Sequence, residues 1–314
     1  MKNIFLIFLL AALQLFSSTG AVRSSRTQGA EFLQLHRGAR APALGGAVSA
    51  RPEGVMAPQY NPAGLAELNK GQFEASYQSL VEGIDHGNFG WSNPWGAGGL
   101  GRDLKYIDYG SLTRTTLAED YSITEAGSFG AAEVAAGLFY GNTLLHHPRY
   151  RLNWGWGLRF VHSRIENSGY ALGLTGGLQA ITMEDNLKTA AVVRNLGSQI
   201  RYQDRDDASS LPTDYRLAIA YRILENTTHS DNLWVYYELD FRQAQQHDLS
   251  YSAGVEYGYR NFLHLRAGYN DRHSVDSGFS GGLGVKHRNL AVDYAYLPYG
   301  EFGTSHRIAL KIDI

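Results

Sequence analysis

Four groups of residues in this sequence are of types that do chemistry. Gly278-Phe279-Ser280-Gly281-Gly282 has the spacing of a nucleophile elbow, where a serine on a sharp strand-to-helix turn attacks an acyl carbon, and Asp293 and His306 follow in the order a triad needs. Yet Phe279, Gly281, Leu283 and Val285 alternate with Ser280, Gly282 and Gly284, which puts Ser280 in mid-strand rather than on an elbow. Gly96, Gly98 and Gly101 match the dinucleotide fingerprint, whose pyrophosphate needs a helix N-terminus directly after the glycines. Here the strand-like Leu104-Lys105-Tyr106 follows, so the glycines are expected at strand positions that must be small. His146-His147 beside Pro148 offers two imidazoles, but adjacent side chains splay apart and no acidic ligand is near in sequence. No metal or other cofactor is expected from any of these. The fourth group is ionic: Arg216, Glu238, Asp240, Arg242, Glu256, Arg266 and Asp293. These charges either make a selective lumen or pair with one another and rigidify a closed one.

The elements that position these residues alternate with period two from about residue 71 to the end. Leu233, Val235, Tyr237, Leu239 and Phe241 share one face; Asn232, Trp234, Tyr236, Glu238, Asp240 and Arg242 share the other. Tyr215 to Ile223, Leu249 to Tyr259, Leu152 to Phe160 and Ile308 to Ile314 repeat the pattern. Successive side chains of a strand point to opposite faces, so each segment is greasy on one side and wet on the other. The greasy faces are long enough for the ~9–11 residues with which a tilted strand crosses a bilayer. Tyr257, Tyr259, Tyr294, Tyr296 and Tyr299 gather near segment ends, where amphipathic rings suit a lipid–water interface. The expectation is an all-β fold, a transmembrane antiparallel barrel whose greasy face meets lipid and whose wet face lines a lumen.

Candidate strands fall near 72–83, 85–93, 98–108, 111–119, 127–141, 151–164, 168–181, 187–203 and 212–224. The others fall near 232–243, 247–259, 261–270, 277–287, 289–297 and 304–314. The stretch 85–120 looks over-divided, and bacterial single-chain barrels normally have an even number of strands, which makes about fourteen the expectation.

Residues 1–21 read as a signal peptide: Met1-Lys2-Asn3 is a positive head, Ile4 to Leu13 an apolar run, and Thr19 and Ala21 suit cleavage after Ala21. Counted through Phe16 that run falls short of the roughly 20 residues a spanning helix needs. Residues 22–70 lack alternation and are rich in small residues, a composition that packs closely against surrounding walls. They read either as a plug inside the barrel of residues 71–314 or as a loose periplasmic leader. Asn61 as N-cap with Pro62 after it marks a helix start. The chain has no cysteine, which excludes disulfides, thiolate metal sites and a cysteine nucleophile. A net charge of −2 gives no concentrated positive surface for nucleic acid.

The run Arg40-Ala41-Pro42-Ala43-Leu44-Gly45-Gly46-Ala47, followed by Asn61-Pro62-Ala63-Gly64-Leu65-Ala66, resembles the opening of the PorV/PorQ family of outer-membrane proteins, relatives of the FadL fatty-acid channels. Val193-Arg194-Asn195-Leu196-Gly197, Leu211-Pro212, Gly254-Val255-Glu256-Tyr257, Leu265-Arg266-Ala267-Gly268-Tyr269 and Asp293-Tyr294-Ala295-Tyr296 extend the resemblance in order along the chain. It implies a fourteen-stranded barrel with an N-terminal hatch carrying the plug motif Arg40, Leu44, Gly45, Gly46, Asn61, Pro62, Ala63 and Gly64. It also implies a bacterial outer-membrane location, no catalysis, and a role in type IX secretion as a scaffold or cargo receptor, with secreted proteins and other secretion components as partners. The polar segments 204–211 and 225–231 would then be contact loops. The FadL kinship implies an alternative, a channel for hydrophobic small molecules in which the hatch leaves a binding pocket and a lateral opening releases the ligand. For that reading Trp234 and Tyr236 are the best apolar residues on inward faces.

Overall fold

A computed structural model describes residues 29–314, apart from 81–82, 118–121, 166, 203–207, 227–229, 243–247, 273–277, 299 and 301–302. The expected signal peptide, the start of the second segment and Tyr299 lie outside the described residues, as do 204–207 and 227–229 of the two expected contact loops. The strands are β1 (Gln72–Ser79), β2 (Asp85–Trp95), β3 (Gly98–Leu117), β4 (Ile123–His147), β5 (Tyr150–Ile165), β6 (Asn167–Thr182), β7 (Leu187–Gly197) and β8 (Gln199–Tyr202). They continue with β9 (Ala208–Ser210), β10 (Asp214–Asn226), β11 (Asp231–Arg242), β12 (Asp248–Tyr259), β13 (Leu263–Asn270), β14 (Phe279–His287), β15 (Leu290–Pro298) and β16 (Thr304–Asp313).

Each barrel strand pairs antiparallel with its neighbours, and β1 closes the circle on β16 from Gln72↔Asp313 to Gln78↔Arg307. Fourteen strands form the wall, while β8 and β9 make a short hairpin riding on the rim of β6. The strand count therefore agrees with expectation. The segments near 98–108 and 111–119 are one strand, β3, kinked by register shifts between Asp108 and Ser111 and between Thr113 and Thr115.

Alternation sorts the faces as the sequence indicates. Phe89, Trp91, Leu138, Leu158, Phe160, Leu172, Leu265 and Ile308 are exposed on the outside, whereas Glu74, Asn88, Asp103, Arg159, Arg216, Glu238 and Glu256 are buried within. Aromatic rows flank the outer apolar band. Trp95, Tyr140 and Trp154 meet edge to face at the end carrying the two-residue turns 96–97 and 148–149. Near the other end Tyr269 meets Phe279 edge to face and Tyr251 at a tilt. An apolar belt between aromatic girdles is the surface of a barrel solvated by lipid.

Among the described residues the wall is interrupted between β7 and β10. The β7–β10 ladder stops at Arg194↔Asp214 and resumes as β8–β9 at Gln199↔Ser210. Between them Asn195 takes a φ of 54°, and Pro212 has no N–H to give a ladder. Side chains bridge the gap: Asn195 Nδ2 donates to the Pro212 carbonyl at 3.2 Å and the Thr213 hydroxyl to the Asn195 carbonyl at 3.0 Å. Residues 29–68 run inside the barrel as short turns, from Gly29 against Ser210 at the loop end to Glu67 against Arg151 at the short-turn end.

Candidate functional site

The lumenal segment has two parts held by different physics. Its second part, Arg40 to Leu65, here the wedge, is a series of turns: Arg40–Ala43, Gly54–Met56, Ala57–Tyr60 and the 3₁₀ turn Pro62–Glu67. Asn61 caps that last turn by accepting from the Ala63 N–H, as expected, although the turn is 3₁₀ rather than α. The Asn61 amide also donates to the carbonyls of Ser49 and Leu178, tying wedge to wall. Gly45 and Gly46 have φ of 64° and 90°, backbone that side chains disfavour, so the chain reverses there.

The glycines on the wet faces of the strands are the wedge's seat. A methyl group on Gly268 would overlap the backbone of Leu44 and Gly45, one on Gly155 would strike Pro62 and Ala63, and one on Gly99 would strike Leu65. Gly101 of the apparent dinucleotide fingerprint serves the same purpose, facing Pro58 and Leu65 within β3. Leu44, Pro62, Ala63 and Gly64 are buried in this packing.

Charge completes the anchor. Glu256 accepts from Arg40 Nε at 2.9 Å, Arg51 Nη1 at 2.8 Å and Arg266 Nε at 2.8 Å, and Arg266 reaches on to Asp293 at 2.5 Å. A second network joins Arg216 to Asp214, Glu238 and Asp240, with Arg242 3.8 Å from Asp240. Arg194 pairs with Asp214 and donates to the Gln59 carbonyl, and Glu238 accepts from the Ser49 N–H. The seven charges named from the sequence thus fall into two clusters, and of the two readings the geometry is that of mutual pairing. Burial works against the charge on Glu53, yet Arg40 and Arg51 beside it hold its carboxyl below the usual range. Burial pushes the Tyr60 phenol up to about 12, so it stays a donor, and it gives its proton to the Arg37 carbonyl at 3.1 Å.

The first part, Ala30 to Arg37, here the strap, sits differently. Phe32 and Leu33 of the turn Glu31–Gln34 pack with Ile107, Ala135, Val161, Ala171, Ile200 and Leu211, forming an apolar seat on otherwise polar inward faces. The seat adjoins the wall interruption: Leu211 belongs to both, and Gln34 Nε2 donates to the Pro212 carbonyl at 2.9 Å. Lys105 Nζ donates to the carbonyls of Phe32, Leu33 and Leu35. Arg37 reaches Glu74 at a long 3.4 Å, and its two terminal nitrogens have no hydrogen-bond partner although the side chain is only 1% exposed.

Trp234 and Tyr236 are buried inward, but they do not line this seat. Arg51, Lys188 and Arg222 lie over the indole, and the Tyr236 phenol receives hydrogen bonds from Arg40 and Arg51, so both rings serve the wedge. Ser280 is the second residue of strand β14, not on a strand-to-helix turn, and His306 points outward to the Tyr294 hydroxyl, opposite in sense to inward Asp293, so no triad assembles. His146 and His147 end β4 rather than occupying a loop, and no group of side chains among the described residues is arranged to hold a metal ion.

No family model matches the sequence, and no curated protein matches it. Solved structures do. The barrel is similar to hydrocarbon channels. The Pseudomonas putida toluene transporter TodX matches with a TM-score of 0.54 at 13% identity, covering 92% of this chain and 99% of that one. A TodX variant described as a monoaromatic hydrocarbon channel gives 0.56 at 13% over 88% and 97%, and the monoaromatic hydrocarbon channel CymD gives 0.51 at 10% over 88% and 96%. The shared fold is the FadL-like outer-membrane barrel.

Proposed function

We propose that this chain is a non-catalytic bacterial outer-membrane channel for hydrophobic small molecules, with the strap seat as its binding site. The observation carrying this is the apolar seat of Ile107, Val161, Ala171, Ile200 and Leu211 lying against the interruption of the wall between β7 and β10. A molecule that displaces Phe32 and Leu33 gains the burial they give up, about 1.5–3 kcal/mol for each side chain of that size, and leaves sideways where side chains replace the ladder. Residues 1–21 act as a cleaved signal peptide, 22–70 as the plug and 71–314 as the barrel. The fold's likeness to toluene and monoaromatic hydrocarbon channels favours this reading. The expectation of a PorV/PorQ-type cargo receptor in type IX secretion finds no support in those structures. Vesicles reconstituted with the protein are expected to take up labelled toluene faster than empty vesicles; equal rates would remove the proposal.

A further inference from the structure

We propose, on the strength of the channel reading, that Lys105 sets specificity: it favours hydrophobic molecules with a hydrogen-bond acceptor at one end over plain hydrocarbons. Lys105 is buried on the inner face of β3, two residues from Ile107 of the apolar seat. Its Nζ lies 3.4, 3.2 and 2.7 Å from the carbonyl oxygens of Phe32, Leu33 and Leu35, three acceptors for the three N–H groups of an ammonium. Among the described residues no carboxylate lies within salt-bridge distance of it, whereas Arg40, Arg159, Arg194, Arg216 and Arg266 each have one. The Lys105 amino group is therefore satisfied by backbone that belongs to the strap.

The strap itself is built like such a molecule. Phe32 and Leu33 supply the apolar body in the seat, and the carbonyls of the same turn supply the acceptor end. Any occupant of the seat must push that turn aside, and Lys105 then loses its acceptors in a site lined by apolar side chains. A donor left unpaired there is costly, and a charged one more so. An occupant with its own carbonyl or hydroxyl oxygen restores a partner; a hydrocarbon does not. Ile107, Ala135, Val161 and Ala171 offer Lys105 only apolar side chains, and the two hydroxyls packed against the cluster are already engaged, Tyr109 with Glu133 and Tyr202 with Ser163.

The test compares acetophenone with cumene, two aromatic molecules of similar size of which only the first carries an acceptor. Dissociation constants are measured by calorimetry on the full-length barrel in detergent, for the wild type and for Lys105→Met. Partition into micelles is common to both proteins and cancels in the comparison. The preference for acetophenone over cumene is expected to fall about tenfold or more in Lys105→Met, mainly through tighter cumene binding. An unchanged preference overturns the assignment of Lys105. Should Lys105→Met fail to fold, as slow migration of unboiled samples on SDS gels would show, Lys105→Gln keeps one amide donor and carries the same comparison: an intermediate preference supports the assignment and the wild-type preference overturns it. Absence of binding by either molecule to the wild type would overturn the channel reading itself, an outcome distinct from equal binding of both.

Discussion

The strap and the wedge belong to one continuous segment in one lumen, yet they are seated by opposite means. The wedge is fixed where backbone meets glycine and where Glu256 gathers three guanidinium groups. The strap is held by two apolar side chains, by hydrogen bonds of Lys105, Gln59, Tyr60 and Arg307 to its neutral carbonyls and of Gln34 to the wall, and by one stretched ion pair. Apolar contacts are non-directional and can be exchanged for those of another apolar molecule, whereas a shared carboxylate and a glycine cradle accept only the group they were shaped for. The difference assigns the parts: the wedge closes the lumen, and the strap occupies a place another molecule can take.

The largest effect is expected from Glu256→Gln, which leaves Arg40, Arg51 and Arg266 without their common charge. Removing one partner of a buried ion pair costs about 3–5 kcal/mol. Thermal unfolding should shift to much lower temperature, and trypsin should cut at Arg40 and Arg51. Next comes Gly268→Val, which drives a side chain into the backbone of Leu44 and Gly45; overpacking of this kind costs about 1–3 kcal/mol. It should raise proteolysis of the wedge while the barrel keeps its fast unboiled mobility on gels. Acid should do less. The Glu53 carboxyl is held below its ordinary value of 4.5, so its stabilisation is complete above that value and is lost only as pH falls through the lowered one. Trypsin resistance of the wedge should therefore be the same at about pH 5 and pH 7. The smallest effect is expected from Arg37→Met. Its terminal nitrogens have no partners to lose and only the long 3.4 Å contact of its Nε with Glu74 is removed, against three short contacts in Glu256→Gln, so the melting temperature should fall clearly less. A loss as large as that of Glu256→Gln would erase the distinction between the two parts.

The wall was legible in the sequence because it is local. Period-two alternation in segments such as Leu233 to Phe241 needs no knowledge of the rest of the chain, and it placed Glu238, Asp240 and Glu256 on the inner face. The glycines of the wet faces were recognised as small positions, but what they make room for is a segment far away in sequence, so Gly155 against Pro62 could not be read. The strap seat was hidden for the same reason. Its walls come from β3, β4, β5, β6 and β8 and its filling from residues with no periodicity at all. Val161 had a visible signal, an apolar residue on an otherwise wet face, and Ile107 shares it. Leu211-Pro212 was legible as a turn; that it interrupts the wall follows only from the pairing of β7 with β10 and β8 with β9.

The account turns on the strap yielding while the wedge stays. The chain has no cysteine, so a single one introduced at Leu33 or at Leu65 reports on one part alone. In reconstituted vesicles, a water-soluble maleimide should label Leu33→Cys about tenfold faster with acetophenone present than without it, and Leu65→Cys at an unchanged slow rate. Equal acceleration at both positions, or none at Leu33→Cys, would contradict the division of the lumen into a displaceable strap and a fixed wedge.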